Sequence, residues 1–390
     1  MYQGSAGLTV LAALLAASLG LTQDDLPYPQ GRRFPLGLYS IHTVEEMTTE
    51  RALGWNICHT YSMQPEYLDV AREGGMLPLV HLATGEAAEV QEQIRSLAAR
   101  GPAGWWDFPE EMRYWREAEF QVVKDLSAWT RQADPDKRPN FMYNAGHYTA
   151  EALANYVPYL DIIGAGTYTE YSHMPRAWVR WRMEETVRST GLAGATAGRD
   201  YLHGEKTPIG IPMLFYDPGT MDLISPVEAY HDFYSCLAAG AKGILVFSYW
   251  HKRDQGMLQA TYDAYARAAS EVSGPAGLGQ ALLLGDDVPV TCEVTEGPAP
   301  TMGFRPFGTE QDVSYPAVNA LAKAYAGKLY LLAVNSEESG QMLKVTFGGL
   351  PAGLAALTTP FEQERDLKGK PTEEQRRIAV TDGQFSDSFG

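Results

Sequence analysis

The sequence predicts an α/β fold, a (β/α)8 barrel followed by a small antiparallel β-sandwich domain. Three observations predict it. Eight short apolar runs alternate with stretches of helical period between residues 34 and 272. Past Gly274 the helical period fades, and β-rich runs separated by turn residues follow. The far ends of the eight runs collect histidines, tyrosines, tryptophans and carboxylates, and that is the end at which a barrel of this kind, the TIM barrel, carries its site.

The eight runs cover residues 34–41, 54–62, 76–83, 103–107, 138–146, 160–168, 210–217 and 243–250. Apolar runs of this length, each followed by an amphipathic stretch, read as buried parallel strands. The stretches between them, 43–53, 65–74, 87–99, 110–133, 149–158, 175–190, 225–241 and 255–272, read as helices. The longest carries Met112, Trp115, Phe120, Val123, Leu126 and Trp129 on one stripe, and Asp134-Pro135 stops it. Gly74-Gly75, Gly101, Gly191 and Gly240 stand at or just beyond helix ends, where a left-handed cap is wanted. No glycine-rich phosphate turn follows the first run, which argues against an open doubly wound sheet. The barrel is therefore read as residues 30–273. Residues 286–390 read as the sandwich, with strands near 288–294, 328–335, 341–347 and 378–381.

Residues 7–21 are nearly all apolar. The run falls short of the roughly 20 residues of a membrane span. Small residues Ala16, Ser18 and Gly20 precede a polar Gln23-Asp24-Asp25. That order reads as a signal peptide over residues 1–22, although residues 1–6 hold no Lys or Arg. A secreted or periplasmic location is expected. Lys and Arg number 31 against 48 Asp and Glu, a net charge of −17, which argues against nucleic acid and anionic membranes as partners. Cysteines number 3, with no C-x-x-C, so neither a disulfide framework nor a cysteine zinc site is expected. Cys58 and Cys236 lie in apolar segments and read as buried thiols.

The run ends offer Tyr39 and His42, His59 and Tyr61, His81, then Trp106, Asp107, Glu110 and Glu111. The later runs offer Tyr143 and Asn144, Tyr168 and Glu170, Tyr216 and Asp217, and Tyr249, Trp250, His251 and Asp254. No His-x-His pair ends the first run and no His-Glu-x-x-His spacing occurs, so no metal and no cofactor are expected. Glu170 to His173 and Glu228 to His231 are treated as chance spacings. No G-x-S-x-G turn exists for Ser/His/Asp catalysis. Paired carboxylates fit better. Hydrolysis of a glycosidic bond needs one protonated carboxyl and one carboxylate facing it. Glu110 or Glu111 is expected as the acid, because the neighbouring Trp105, Trp106 and Phe108 would raise a carboxyl pKa by desolvation; both residues also suit a helix N-terminus. Asp217 or Glu170 is expected opposite. The aromatic and histidine side chains at the run ends are expected to bind the substrate.

Three blocks carry a resemblance: Trp105-Trp106-Asp107-Phe108-Pro109-Glu110-Glu111, then Asp134-Pro135-Asp136-Lys137-Arg138-Pro139, then Ala238-Ala239-Gly240-Ala241-Lys242-Gly243-Ile244 leading into Phe247-Ser248-Tyr249-Trp250. The chain resembles the superfamily of retaining glycosidases with the acid on barrel strand four, and within it the poorly characterised bacterial secreted glycoside-hydrolase-like proteins with a small C-terminal β-domain. The resemblance implies a carbohydrate substrate, a polysaccharide or oligosaccharide, and an acid at Glu110 or Glu111. The superfamily's strand-seven nucleophile is a glutamate, where this chain has Asp217. That leaves open an inverting enzyme, substrate assistance, a non-catalytic carbohydrate-binding barrel, or a metal-dependent hydrolase. Domains of this resemblance usually continue past a stretch like Phe385-Ser386-Asp387-Ser388-Phe389, so the sandwich is expected to lack its last strand.

Overall fold

The computed structural model describes residues 26–62, 64–101, 104–201, 205–216, 219–220, 222–250, 256–298, 301–365 and 371–389. The apolar N-terminal run, Asp217, His251 and Asp254 lie outside them. Eight parallel strands close into a barrel: β1 Leu36–Tyr39, β2 Ile57–His59, β3 Leu77–His81, β4 Trp105–Asp107, β5 Asn140–Asn144, β6 Ile162–Thr167, β7 Thr207–Pro212 and β8 Ile244–Val246. Closure is the pairing of β1 with β8, Leu36 opposite Ile244. Helices α1 Val44–Ala52, α2 Glu66–Gly74, α3 Ala87–Ala99, α4 Glu117–Ala133, α5 Ala150–Ala154, α6 Thr169–Ser172, α7 Ala177–Ala197, α8 Pro226–Ala238 and α9 Gln259–Ser273 follow the strands in turn.

Alternation along each strand sorts its residues between two layers. Ile57, Leu77, Leu79, Trp105, Phe141, Ile162, Ile209, Ile211 and Leu245 pack together inside the barrel. The residues of opposite parity, among them Leu38, Cys58, Val80, Trp106, Met142, Ile163 and Val246, face the helices. Capping boxes at Thr43 and Ser225 begin α1 and α8, with Glu46 and Glu228 as the return partners, each worth about 1 kcal/mol. Glu228 is therefore a capping residue of α8.

Several boundaries differ from those the sequence predicts. The long helix begins at Glu117, not at residue 110. Glu111 takes a left-handed φ of 54°, which turns the chain away from helix, and Arg113 folds onto Glu119 in the first turn of α4. Helix α7 runs through Gly191 and ends at Gly198. Strand β7 begins at Thr207 and ends at Pro212, so Asp217 lies beyond the strand end at which the sequence places it.

After Leu278–Leu284, a tenth helix α10, the chain forms antiparallel sheets. Strands β9 Asp286–Asp287, β13 Val318–Tyr325 and β14 Lys328–Asn335 make one, and β10 Thr291–Glu296, β15 Leu343–Gly348 and β18 Phe385–Phe389 another. Hairpins β11 Thr301–Phe304 with β12 Val313–Pro316, and β16 Ala356–Arg365 with β17 Pro371–Ala379, complete this β-sandwich domain. Val318, Leu343, Val345, Phe347 and Phe385 form its core. Leu332 and Val334 of β14 pack instead into the cluster of α8 and α9. The interface is pinned by His231 Nε2 to Ser336 Oγ at 2.9 Å and by the Tyr330 hydroxyl donating to the Ala276 carbonyl at 2.9 Å. Among the described residues no helix is long and apolar enough to cross a membrane.

Candidate active-site cleft

Strand parity decides which run-end residues meet. Tyr39, His59, His81, Asp107 and Tyr143 share the inward parity of their strands, and the pairings Tyr39 with His59 and His81 with Asp107 set them at matching heights. His59 Nε2 and His81 Nδ1 both approach Asp107 Oδ2, at 2.9 and 2.8 Å. Asp107 and His59 are wholly buried. Burial by itself raises the Asp107 carboxyl, but the two histidines outweigh it and hold Asp107 below the usual carboxylate range. The bond to Asp107 raises His81 despite its partial burial. Around this cluster Asp107 Oδ1, His59 Nδ1 and the Tyr39 hydroxyl are buried with no protein partner.

Glu110 stands in the turn after β4, above that cluster. The Tyr61 hydroxyl donates to its Oε1 at 3.0 Å. Its carboxyl is pushed up to about 7, first by burial and then by the negative charge of Asp107; the Tyr61 bond works the other way. Tyr61 is itself held edge-on against the His59 ring at 4.4 Å. Glu111 follows in its left-handed conformation, its N–H bonded to the Tyr143 carbonyl at 3.0 Å. Neither acid is at a helix N-terminus.

Glu110 and Glu111 open onto a cleft of 480 Å³, inside the roughly 300–1,000 Å³ range of small-ligand sites. Its other walls are aromatic. Tyr143 and Tyr168 stack at 6.0 Å and 16°, and Phe215 and Phe247 pack edge-on at 5.8 Å. Gly166 makes this possible, because a Cβ there would lie 2.4 Å from the Tyr143 hydroxyl oxygen. Tyr171, His147 and Phe307 complete the rim.

Several expected site residues lie elsewhere. Trp106 has the outward parity; it is buried under α4, with its indole N–H given to Asp134 at 2.9 Å. The same Asp134 pairs with Arg138 at 2.6 Å, so the block 134–139 braces the barrel wall. Asn144 faces outward too, and its amide bonds the Met142 and Gly164 carbonyls. Tyr249 packs on Tyr262 at 5.5 Å in the helix layer. His42 is exposed beside the start of α1, Tyr216 sits on a bridge to Leu223, and neither Tyr216 nor the half-buried Trp250 lines the cleft. Glu170 turns from the cleft to pair with Arg176, which also meets Asp232 at 2.9 Å and Glu228 at 3.2 Å. A buried guanidinium holds that acid, so it does not face Glu110.

Sequence reasoning leaves out Phe215, Phe247, Gly166 and Phe307. Phe247 is within reach of parity, since it stands two residues past the inward Leu245. Nothing local marks Phe307, which arrives from the second domain.

No family model matches the chain, and no curated protein does. Among solved structures it is similar to an α-L-arabinofuranosidase from Bifidobacterium longum, at 12% identity and TM-score 0.49 over 91% of this chain and 93% of that one. It is similar to a glucosidase from Croceicoccus marinus at 11% identity and TM-score 0.46, covering 92% and 93%. A tryptophan synthase from M. tuberculosis is similar too, at 14% identity and TM-score 0.40 over 67% and 97%. Likeness at this level crosses reaction classes and decides nothing about chemistry.

Proposed function

We propose that the protein is an exported glycoside hydrolase acting on a polysaccharide or its oligosaccharides, with Glu110 as the general acid. The observation that carries this reading is a carboxyl with a pKa raised to about 7, set at the head of a cleft walled by aromatic rings. A general acid must hold its proton at the working pH and release it as the leaving oxygen departs. Aromatic faces suit the C–H faces of sugar rings. In the reaction, Glu110 gives its proton to the glycosidic oxygen as the bond from the anomeric carbon to that oxygen breaks. Water adds to the anomeric carbon and yields its proton to the second carboxylate. Glu110 then regains a proton from solvent, and the second carboxylate releases the one it took. Asp217 is the second carboxylate in this proposal. It is one methylene shorter than a glutamate, which leaves room for the water and favours inversion, the outcome of carboxyls about 6.5–9.5 Å apart. Following the anomer of the first product by NMR tests that step. Turnover of a glycan panel tests the activity; binding without turnover would make the barrel a carbohydrate-binding protein instead. Export rests on the apolar run at residues 7–21; N-terminal sequencing of the protein recovered from culture medium or periplasm checks it.

One observation favours a second reading. His59 Nε2, His81 Nδ1 and Asp107 Oδ2 all lie within 4.8 Å of one another, a donor set that suits zinc or another first-row divalent cation. The imidazoles would then present lone pairs, not N–H groups. Stoichiometric metal in protein prepared without chelator, with turnover lost on chelation, would favour a metal-dependent hydrolase. Metal-free protein with full turnover would remove that reading.

A further inference from the structure

The cleft is not made by the barrel alone. Two of its rings face solvent, Tyr171 at 55% exposure and Phe307 at 49%. Tyr171 belongs to α6 at the barrel mouth, and Phe307 to the loop joining β11 and β12 of the β-domain. A large apolar ring kept half in water needs something to hold it there. The Phe307 loop is closed at its base by Arg305 Nε to Asp312 Oδ1 at 2.8 Å. Inside it the Thr309 N–H and hydroxyl both donate to the Pro306 carbonyl, at 3.0 and 2.9 Å. Its tip rests directly on the barrel. Gly308 has φ +79°, and a Cβ there would lie 2.7 Å from His147 Cβ. Only glycine allows both that backbone and that approach. Phe307 stands edge-on to the His147 ring, at 5.9 Å and 89°, and lines the cleft.

We propose that Phe307 is a sugar-binding residue supplied by the C-terminal domain, so that the substrate lies between two domains and is an oligosaccharide long enough to reach from Glu110 to Phe307. This rests on the carbohydrate reading and deepens it. The ring offers an apolar face to a pyranose, the contact for which a fixed half-exposed aromatic is suited. It also gives the β-domain a part in the site.

The test uses the full chain in a Glu110→Gln background, which slows turnover on the order of 10²-fold or more. Binding of cellotetraose, mannotetraose, xylotetraose and chitotetraose is measured by calorimetry, alone and with Phe307→Leu or Phe307→Tyr added. Leucine keeps the packing against His147 but loses the ring face; tyrosine keeps both. The expected result is at least one tetrasaccharide bound, about tenfold more weakly in the leucine variant, about equally in the tyrosine variant, and with unchanged melting temperatures. Equal binding by the leucine variant overturns this inference and leaves the carbohydrate reading standing. Weaker binding in both variants with lowered melting temperatures assigns Phe307 to domain docking and also overturns it. No binding of any of the four sugars overturns this inference, and the carbohydrate reading is then decided by the glycan panel.

Discussion

The two halves of the barrel mouth use their charged residues differently. On the side of β2, β3 and β4, His59, His81 and Asp107 form a buried cluster directly under Glu110, and the cluster leaves polar atoms without protein partners. On the side of β6 and α8, Glu170, Glu228 and Asp232 converge on one guanidinium, Arg176. The first arrangement raises a carboxyl pKa and aims it at a cleft. The second gathers its acids around a cation and turns Glu170 from the cleft, although burial and the two neighbouring acids raise the Glu170 carboxyl as well. Burial, with the charge of Asp107 added to it, raises Glu110, whereas the Arg176 guanidinium pulls Glu170 and Glu228 downward. The comparison teaches that proximity to a strand end does not make a carboxylate catalytic; what neutralises it decides.

The sharpest way to break that contrast is Glu110→Gln. On the acid assignment turnover slows on the order of 10²-fold or more, read by steady-state kinetics on the responsive glycan. The same variant makes a stability prediction of fixed sign. A carboxyl raised from 4.5 to about 7 holds a proton in the folded chain that the unfolded chain releases across that window. The folded state therefore loses stability as pH rises through it, and the loss is complete above pH 7. Glutamine does not titrate, so the variant should melt higher than the parent at pH 8 and nearly together with it at pH 4. A variant that is inactive but no more stable at pH 8 would mean that the carboxyl is not raised.

Asp107→Asn tests the anion beneath. Asparagine keeps an oxygen for the two imidazoles and removes the charge. Glu110 then loses one of the causes that raise it, and its pKa falls. Activity that declines as pH rises past the acid's pKa should decline at lower pH in this variant, with a loss of about tenfold at pH 7. A pH–rate profile superimposable on the parent's would sever Asp107 from Glu110.

The barrel was legible in the sequence because buried parallel strands repeat a simple signal, and each of the eight runs contains or overlaps an observed strand. The site was legible only in part, and the reason is parity. The run 103–107 shows two tryptophans and an acid, but a strand sends neighbours to opposite faces. With Trp105 and Asp107 inside, Trp106 had to face α4. The same count sends Tyr143 inward and Asn144 outward. The turn at Glu110 and Glu111 was hidden for another reason: Met112 and Trp115 extend the helical stripe of α4 by coincidence, and only a left-handed residue breaks it. In the β-domain the strand Val318–Tyr325 falls in none of the runs read from the sequence, because its part-buried residues alternate with little apolar contrast, and the run read from residue 341 begins as a strand only at Leu343.

Glu170→Gln sharpens the other side of the comparison. Its partner Arg176 is buried, but Glu170 is partly exposed and two further acids remain on the guanidinium. Burial and the neighbouring Glu228 and Asp232 raise the Glu170 carboxyl despite the pull of Arg176, so removing its charge is expected to leave the melting temperature at neutral pH within about a degree of the parent's. Turnover at saturating substrate should stay close to the parent's. Turnover slowed on the order of 10²-fold, the signature of a lost proton-transfer group, with an unchanged melting temperature would return Glu170 to the mechanism.

The smallest effect is expected next door to the largest. Glu111 lines the cleft as Glu110 does, but its backbone has the more evident task. Its left-handed φ and the bond from its N–H to the Tyr143 carbonyl make the turn that sets Glu110 above Asp107 and beneath the Tyr61 hydroxyl. Glu111→Gln preserves that backbone and removes only a charge, so turnover should stay within about threefold of the parent's. The charge does act on Glu110, whose pKa it helps to raise. The variant's pH–rate profile should therefore move in the same direction as that of Asp107→Asn, to lower pH, and by less, since Asp107 is the larger of the two influences. A loss on the order of 10²-fold or more in Glu111→Gln would instead make it the second carboxylate and displace Asp217 from that role. Asp217→Asn measured beside it separates the two, because only one of the pair can fall as far as Glu110→Gln.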